Sequence, residues 1–394
     1  MDKLQTKNKM IMKQIDTYVE SKRTEMIELW EELVNIESGP KQKEGVAKVI
    51  SVIKSELEDI GLETKVLSMP NAGDVFTAFW KNTNKEKPII FLGHTDTVFQ
   101  PGVIKKFPFS IDDNGFAHGP GVLDMKGGLV IALYTIKALK EIGYTRYPIK
   151  LVLAGDEETM HKDSTAAEVL ASEIRGAAAA LNFETGYQDD SIVVGRKGGG
   201  ILSLKIKGIA AHSGIEPEKG RSAILEAAYK IIELEKENDI SVGKLLNCGM
   251  VNGGIGENTI PEECEIRIAY RFPTMKIKNE IVSAVDRIAK TSFIDGTTAK
   301  INLEMGMDCM ETTPEVMALF EHFKQAALDS GYGSIHPFSV GGISDSAIAV
   351  VNGVPTLCGL GCKGKNNHTL NEYAEVESLF SRTKLAAAAV YQYP

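Results

Sequence analysis

Apolar residues recur at helical spacing through 15–36 and again through 43–61. In the second stretch Val46, Val49, Ile50, Ile53 and Leu57 share one face and Gly61 supplies the stop. The pattern then changes. Pro88-Ile-Ile-Phe-Leu-Gly-His-Thr-Asp is a short continuous apolar run with its polar residues at the C-terminal end, as in a buried strand. Asp124 precedes another helix, carried by Leu129, Ala132, Leu133, Ile136 and Leu139 and followed by Gly143. Residues 149–154 and 176–183 read as further buried strands, the first running into Gly155-Asp-Glu-Glu and the second ending at Glu184. Strands alternating with helices predict an α/β domain with a largely parallel sheet. Ligands of such sheets sit beyond the carboxyl ends of the strands, and all three polar clusters fall there.

The middle of the chain has a different rhythm. Residues 201–207 alternate apolar and charged positions, as a strand with one wet face does. Residues 223–234 form an amphipathic pattern, and 247–252 and 262–271 read as two strands joined by a glycine-rich turn. A helix follows at 278–290, with Ile281, Val282, Val285 and Ile288 apolar, then an alternating strand at 300–305. The order β-α-β-β-α-β is that of the ferredoxin-like split motif. The expected organisation is one domain built from 1–197 and 310–394, interrupted by an inserted domain at 198–309 with Gly198-Gly199-Gly200 as its hinge. After the insertion, 314–330 reads as a helix and 355–360 as a strand ending near His368.

A length of 394 residues agrees with two domains. A net charge of −9 with no block of like charge argues against nucleic acid or an anionic membrane as partner. The N-terminal stretch is polar and lacks the apolar core of a secretory signal. The apolar run at 129–136 falls far short of a membrane span. Five scattered cysteines make no disulfide framework, so the cytoplasm is the expected compartment.

Five side chains stand at or just beyond inferred strand ends or glycine turns: His94, Asp124, Glu158, Glu184 and His368. Singly they say little. His-x-Asp after a strand is usually a polar loop, Asp124 could be a helix cap, and Asp156-Glu157-Glu158 could be a solvated acidic turn. The glycines flanking Asp124 favour close approach by another group, and adjacent buried carboxylates repel unless a cation compensates. As a set, two imidazoles and three carboxylates suit two zinc ions, with cobalt or manganese as substitutes. Asp124 as a bridge, with one His and one Glu for each ion, accounts for every ligand. Asp96 would orient His94 or ligate directly. Of the paired glutamates, one binds metal while its neighbour handles a proton. Cys358 and Cys362 read as ordinary buried cysteines, since two sulfurs complete no zinc site.

In chain order the sequence also carries Gly-His-Thr-Asp-Thr-Val (93–98), Gly-Pro-Gly-Val-Leu-Asp-Met-Lys-Gly-Gly (119–128), Asp-Glu-Glu-Thr (156–159), Phe-Glu-Thr (183–185), Ala-His-Ser-Gly (211–214), Asn-Thr-Ile-Pro (258–261), Gly-Gly-Ile-Ser-Asp (341–345) and Asn-His-Thr (367–369). This ordered set resembles the zinc exopeptidase family of bacterial glutamate carboxypeptidase, acetylornithine deacetylase, succinyl-diaminopimelate desuccinylase, aminoacylase and the aminotripeptidases. The glutamate carboxypeptidase branch looks nearest. The resemblance implies a zinc-aminopeptidase-like α/β catalytic domain with a mixed, largely parallel sheet, and an inserted ferredoxin-like domain for dimerisation and as a lid. It implies that His94 and Glu184 bind one zinc, Glu158 and His368 the other, and that Asp124 bridges both. Asp96 would orient His94, Glu157 would be the general base, and the peptide bond after Asp124 would be cis. His212 matches a histidine that stabilises the tetrahedral intermediate, in dimeric members at the partner subunit's site. Asn258 matches a substrate-contacting asparagine. Arg271 matches an arginine that holds a substrate carboxylate, with backbone groups at Gly341 and Gly342. Three departures stand out: Glu304-Met-Gly-Met307 replaces an arginine-rich stretch, Met160-His161 replaces a glycine- and serine-rich continuation, and Thr369 stands where Ser is common.

The implied activity is cleavage of an amide bond beside a free carboxylate, in a small peptide or N-acyl amino acid, by a cytoplasmic homodimer of carboxypeptidase type. Removal of an acyl group from an amino acid is the second enzymatic expectation. A non-catalytic metal-binding scaffold on the same fold is the third, disfavoured because every expected position is filled.

Overall fold

In the computed structural model, which describes residues 2–83, 85 and 87–394, the apolar runs Ile149–Gly155, Ile89–His94 and Ala179–Asn182 lie side by side and parallel. Among the described residues six strands form this sheet, in the order Glu63–Leu67, Gly73–Trp80, Ile149–Gly155, Ile89–His94, Ala179–Asn182, Thr356–Leu357. The first two are antiparallel and the last is parallel to its neighbour, so the sheet is mixed with a parallel centre. Every residue of Ile89–His94 is buried, as a strand covered on both faces requires. One face carries Ile90, Leu92, Val152 and Ala180 against Leu170 and Ile174 of the helix Ala166–Ile174. The helix Gly127–Glu141 is buried almost all round and packs against the C-terminal helix Val376–Gln392. Each fully buried Leu, Ile or Phe contributes about 1.5–3 kcal/mol here. Gly128 has to be glycine: a Cβ there would lie 1.9 Å from the Phe183 carbonyl, just before Glu184.

The molecule divides into two compact units: Met1–Val194 with Thr312–Ser339 and Ile348–Pro394, and Gly195–Glu311 with Val340–Ala347. The short segment carrying Gly341 and Gly342 thus groups with the second unit, whereas the sequence pattern placed it in the first domain. In that second unit four strands pair antiparallel in the order Leu245–Gly253, Glu263–Phe272, Gly198–Lys207, Thr298–Met307. With the helices Ala223–Lys236 and Met275–Lys290 they make the β-α-β-β-α-β arrangement that the patterning predicts. Glu263–Phe272 alternates along its length, with Ile266, Ile268 and Phe272 packed against Ile281, Val285 and Ile288. Ser222 and Thr274 cap the two helices through Leu225 N and Ile277 N.

Two expectations need correction. The glycine triplet is no hinge loop: Gly198, Gly199 and Gly200 stand inside a strand opposite Phe272, Arg271 and Tyr270. A Cβ on Gly200 would meet the Met305 carbonyl at 2.3 Å and the Tyr270 hydroxyl at 2.7 Å, so the glycines make room for neighbouring chain. The helix expected over 15–36 is two, Asp2–Ser21 and Arg23–Val34. The break falls at Ser21-Lys22, where the Ser21 hydroxyl bonds the Tyr18 carbonyl and competes with the helical ladder. No helix among the described residues is long and apolar enough to cross a membrane.

Candidate metal centre and active site

The carboxyl ends of the parallel strands point one way, and each delivers a polar side chain there. His94 is the last residue of its strand and Glu184 follows two residues after Ala179–Asn182. Glu157 and Glu158 open a short turn after Ile149–Gly155. Asp124 sits in an irregular turn, Val122–Lys126, whose Asp124–Met125 peptide bond is cis. It is not the helix cap, because the N-cap position of Gly127–Glu141 falls on Lys126, two residues later. His368 lies in a tight loop, with Asn366 and His368 both in the left-handed region at φ 64° and 65°.

These residues converge on one carboxylate. Asp124 Oδ1 lies 3.3 Å from His94 Nε2, which is 3.5 Å from Glu184 Oε1. Asp124 Oδ2 lies 3.2 Å from His368 Nε2, which is 3.4 Å from Glu158 Oε2. Two triads, His94–Asp124–Glu184 and Asp124–Glu158–His368, each hold one donor atom per residue within 4.8 Å of the others. Asp124 belongs to both, one oxygen facing each triad.

The charges of this cluster do not balance within it. Burial pushes Glu158 well above the usual carboxylate range, and the charges of Asp124, Glu157 and Asp96 push it further. For Asp124, hydrogen bonds from His368 and His94 outweigh burial and hold its carboxyl far below the ordinary value. Burial alone would lower His94, but Asp124, Asp96 and the charges of Glu184 and Glu157 hold it well above the ordinary imidazole. The bond to Asp124 raises His368 as well. Glu158 Oε1 is buried without a hydrogen-bond partner. An orphaned carboxylate oxygen beside a shared Asp is what a divalent cation would satisfy, and N/O donors of this mixture suit zinc. The residues present therefore fit two ions.

Asp96 does two things. Its Oδ1 lies 3.3 Å from His94 Nδ1, and its backbone carbonyl is 3.0 Å from the same nitrogen. Both acceptors place a proton on Nδ1, and Nε2 is the nitrogen that faces Asp124 and Glu184. Its carboxylate also accepts from Glu157 N at 3.2 Å and Glu158 N at 3.0 Å, tying the His94 strand to the double-glutamate turn.

Three contributors escaped the sequence reading. Glu372, four residues past His368, is buried and accepts from Leu123 N at 2.7 Å, Asp124 N at 2.9 Å and Gly121 N at 3.4 Å. It joins the His368 loop to the Asp124 turn. Burial and the Asp124 charge outweigh those bonds and raise it to about 8. Asn367 donates to Asp124 Oδ2 at 3.0 Å. Lys126, the buried last residue of that turn, donates to the Ile36 carbonyl at 2.5 Å, and burial lowers it to about 7. Lys126 and Asn367 stand inside the motifs at 119–128 and 367–369 with no role assigned to them, and Glu372 lies just beyond the second. Cys358 and Cys362 are buried thiols outside any disulfide, as expected.

The remaining expected residues lie in the second unit. His212 is exposed and pairs across a short ladder with Thr259, while Ser213 N bonds the Asn258 carbonyl at 2.9 Å, so His212 and Asn258 are neighbours. Gly214 N donates to His212 Nδ1 at 3.1 Å, which puts the neutral ring's proton on Nε2. Arg271 is half-buried on the open face of its strand and donates to the Tyr270 carbonyl. Gly341 and Gly342 are exposed, and the Gly342 carbonyl accepts from Arg196.

A parallel-centred sheet with acidic and imidazole donors at its carboxyl edge, a shared Asp and a second Glu beside the one in the triad is the frame of a metal-dependent hydrolase. The chain belongs to the peptidase family M20/M25/M40, whose model matches residues 90–392. It is similar to carboxypeptidase G2 of Pseudomonas sp. (strain RS-16), 26% identical over 373 residues that cover 93% of this chain and 88% of that one. It is also similar to a succinyl-diaminopimelate desuccinylase of Nitrosospira multiformis, 26% identical over 353 residues, 83% of this chain and 88% of the relative. Its fold matches the crystal structure of aminopeptidase PepT from Bacillus cereus with a TM-score of 0.73, at 24% identity, over 94% of this chain and 98% of that one. Family membership makes it a hydrolase that depends on metal, and its relatives cleave peptides or N-acyl amino acids.

Proposed function

We propose that this chain is a di-zinc exopeptidase of carboxypeptidase type that cleaves the amide bond of a small peptide or N-acyl amino acid bearing a free carboxylate. The observation that carries this reading is the pair of donor triads sharing Asp124. His94 and Glu184 would hold one ion, Glu158 and His368 the other, and Asp124 both, with cobalt or manganese able to substitute. Bound zinc would supply Lewis acidity, polarising the scissile carbonyl and making a water in the site easier to deprotonate.

The chain's own groups do the rest. Asp96 fixes the His94 tautomer and the backbone of the Glu157–Glu158 turn. Glu157 takes the proton of the attacking water and passes it to the leaving amine. His212, with its Nε2–H available, donates to the developing oxyanion. Arg271, Asn258 and the backbone at Gly341 and Gly342 hold the substrate, the guanidinium taking the free carboxylate.

The second unit, the inserted domain, would serve as the dimerisation and lid domain of a cytoplasmic homodimer. Its helix Ala223–Lys236 exposes Ile224, Leu225, Tyr229 and Ile232. The edge strand Leu245–Gly253, which that helix contacts, exposes Met250 and Val251 and an unpaired ladder edge. A second copy would cover both.

The deacylase reading keeps the same centre and differs only in what the substrate pocket accepts; similarity to a desuccinylase favours it as the second reading. The zinc-loaded protein assayed on dipeptides beside N-acetyl and N-succinyl amino acids separates the two. Hydrolysis of dipeptides by their C-terminal residue supports the carboxypeptidase reading. Turnover of acyl amino acids alone moves the assignment to a deacylase, and no turnover of either refutes both.

A further inference from the structure

The dipeptide Met160-His161 is one of the three departures from the resemblance, and only Thr159 separates it from the double glutamate. Glu157–Thr159 makes one tight helical turn. The Asp156 carbonyl accepts from Thr159 N at 3.3 Å, Thr159 Oγ1 at 3.1 Å and His161 N at 3.3 Å, and the Glu157 carbonyl accepts from Met160 N at 2.7 Å. The chain then reverses through Met160 and His161, both left-handed at φ 54° and 52°. Residues with a Cβ rarely adopt that conformation, and glycine takes it freely. The histidine occupies it and reaches back five residues. Its Nδ1 lies 2.7 Å from Asp156 Oδ1, while Ser164 Oγ donates to Asp156 Oδ2 at 2.5 Å. Both side chains of the Asp156–His161 pair are only 4% exposed. An ionised carboxylate only accepts, so Nδ1 carries the proton.

We propose that His161 is a positioning residue for Glu157 and Glu158. Its bond to Asp156 closes the turn from behind while Asp96 holds the leading N–H groups from the front. The two glutamates are thereby presented in one arrangement, one toward Asp124 and one toward the substrate. Without the Nδ1 donor, Asp156 becomes a buried carboxylate held by Ser164 alone, beside two more acidic groups, and the turn loses its closure. The inference rests on the reading of Glu157 as base and Glu158 as ligand.

Four variants separate the side chain from the backbone. His161→Asn puts an amide donor at the position of Nδ1 and tolerates the left-handed region. His161→Gln carries its amide farther out. His161→Gly relieves the backbone and removes the donor, and His161→Ala removes only the donor. Two readouts are taken: steady-state kinetics of the zinc-loaded protein, and hydrogen–deuterium exchange of the 156–164 segment with and without zinc. The expected result is kcat lowered about 10- to 100-fold in the Gly, Ala and Gln variants with KM little changed, faster exchange of the segment in the same three, and values near wild type for Asn. Wild-type kcat and exchange in His161→Gly, or an Asn variant as impaired as Gly, would overturn the proposal. If the wild-type chain turns over no amide, the functional reading fails by itself. Exchange then decides: protection in Asn but not Gly upholds the clamp, and equal protection in all four removes it.

Discussion

Both units bury carboxylates, and they treat them differently. In the second unit Glu226 and Lys230 are each 1% exposed and 2.9 Å apart. Lys230 donates to the carbonyls of Ile288, Ala289 and Thr291 at 2.7, 3.2 and 2.6 Å, capping the end of Met275–Lys290, and Glu226 accepts from Phe293 N and Ile294 N. Burial would raise Glu226, but Lys230 and those N–H groups outweigh it and hold the carboxyl below its ordinary value. That pair is complete in itself. In the first unit Asp124, Glu158, Glu184 and Glu372 gather around two histidines, Glu158 is pushed far up and one of its oxygens has no partner. Burial of a carboxylate is therefore no sign of function; burial without compensation is, because the missing positive charge has to come from outside the chain.

The comparison can be broken at several points. The largest effect expected is on chemistry: Glu157→Gln should keep its zinc, by elemental analysis, and lose about a hundred- to ten-thousand-fold in kcat. Near-normal turnover would remove Glu157 as the base. Next, Lys230→Met leaves Glu226 buried and unpaired. It should cost about 3–5 kcal/mol in urea unfolding while leaving zinc content and KM unchanged. A loss of zinc in that variant would show that the two clusters are not independent. Zinc itself should stabilise the wild type by about 2.7 kcal/mol at a hundred times its Kd, and the increment should vanish in Asp124→Asn, as thermal melts with and without chelator would show.

The smallest effect is on acid stability. In the folded chain the Glu226 carboxyl sits below the ordinary glutamate value of 4.5. The unfolded state binds the proton first, so the stability Glu226 contributes is present above about 4.5 and is lost as pH falls through the folded value. Glu226→Gln should flatten the pH dependence of unfolding below 4.5. An unchanged slope would mean the pair adds no net stability.

How much of this is legible in the sequence depends on the kind of contact. His94, Glu158, Glu184 and His368 could be read because each follows an apolar run, and strand ends of a parallel sheet must face one way. The alternation at 263–272 likewise announces a one-sided sheet. The roles of Glu372 and Asn367 could not be read. Their work is done through bonds to Leu123, Asp124 and Gly121 about 250 residues earlier in the chain, which no periodicity records. His161 looked like a mere departure because its part rests on a left-handed backbone and one side-chain bond to Asp156, and no periodicity records either. The triplet at 198–200 misled for the opposite reason: glycine serves a loop and a crowded ladder equally well.

The central claim is tested most directly by diffraction data collected on either side of the zinc absorption edge from crystals grown with zinc. Two anomalous peaks should flank the Asp124 carboxylate, one within ligand distance of His94 and Glu184 and the other of Glu158 and His368. A single peak away from Asp124, or none at full zinc loading, would contradict it.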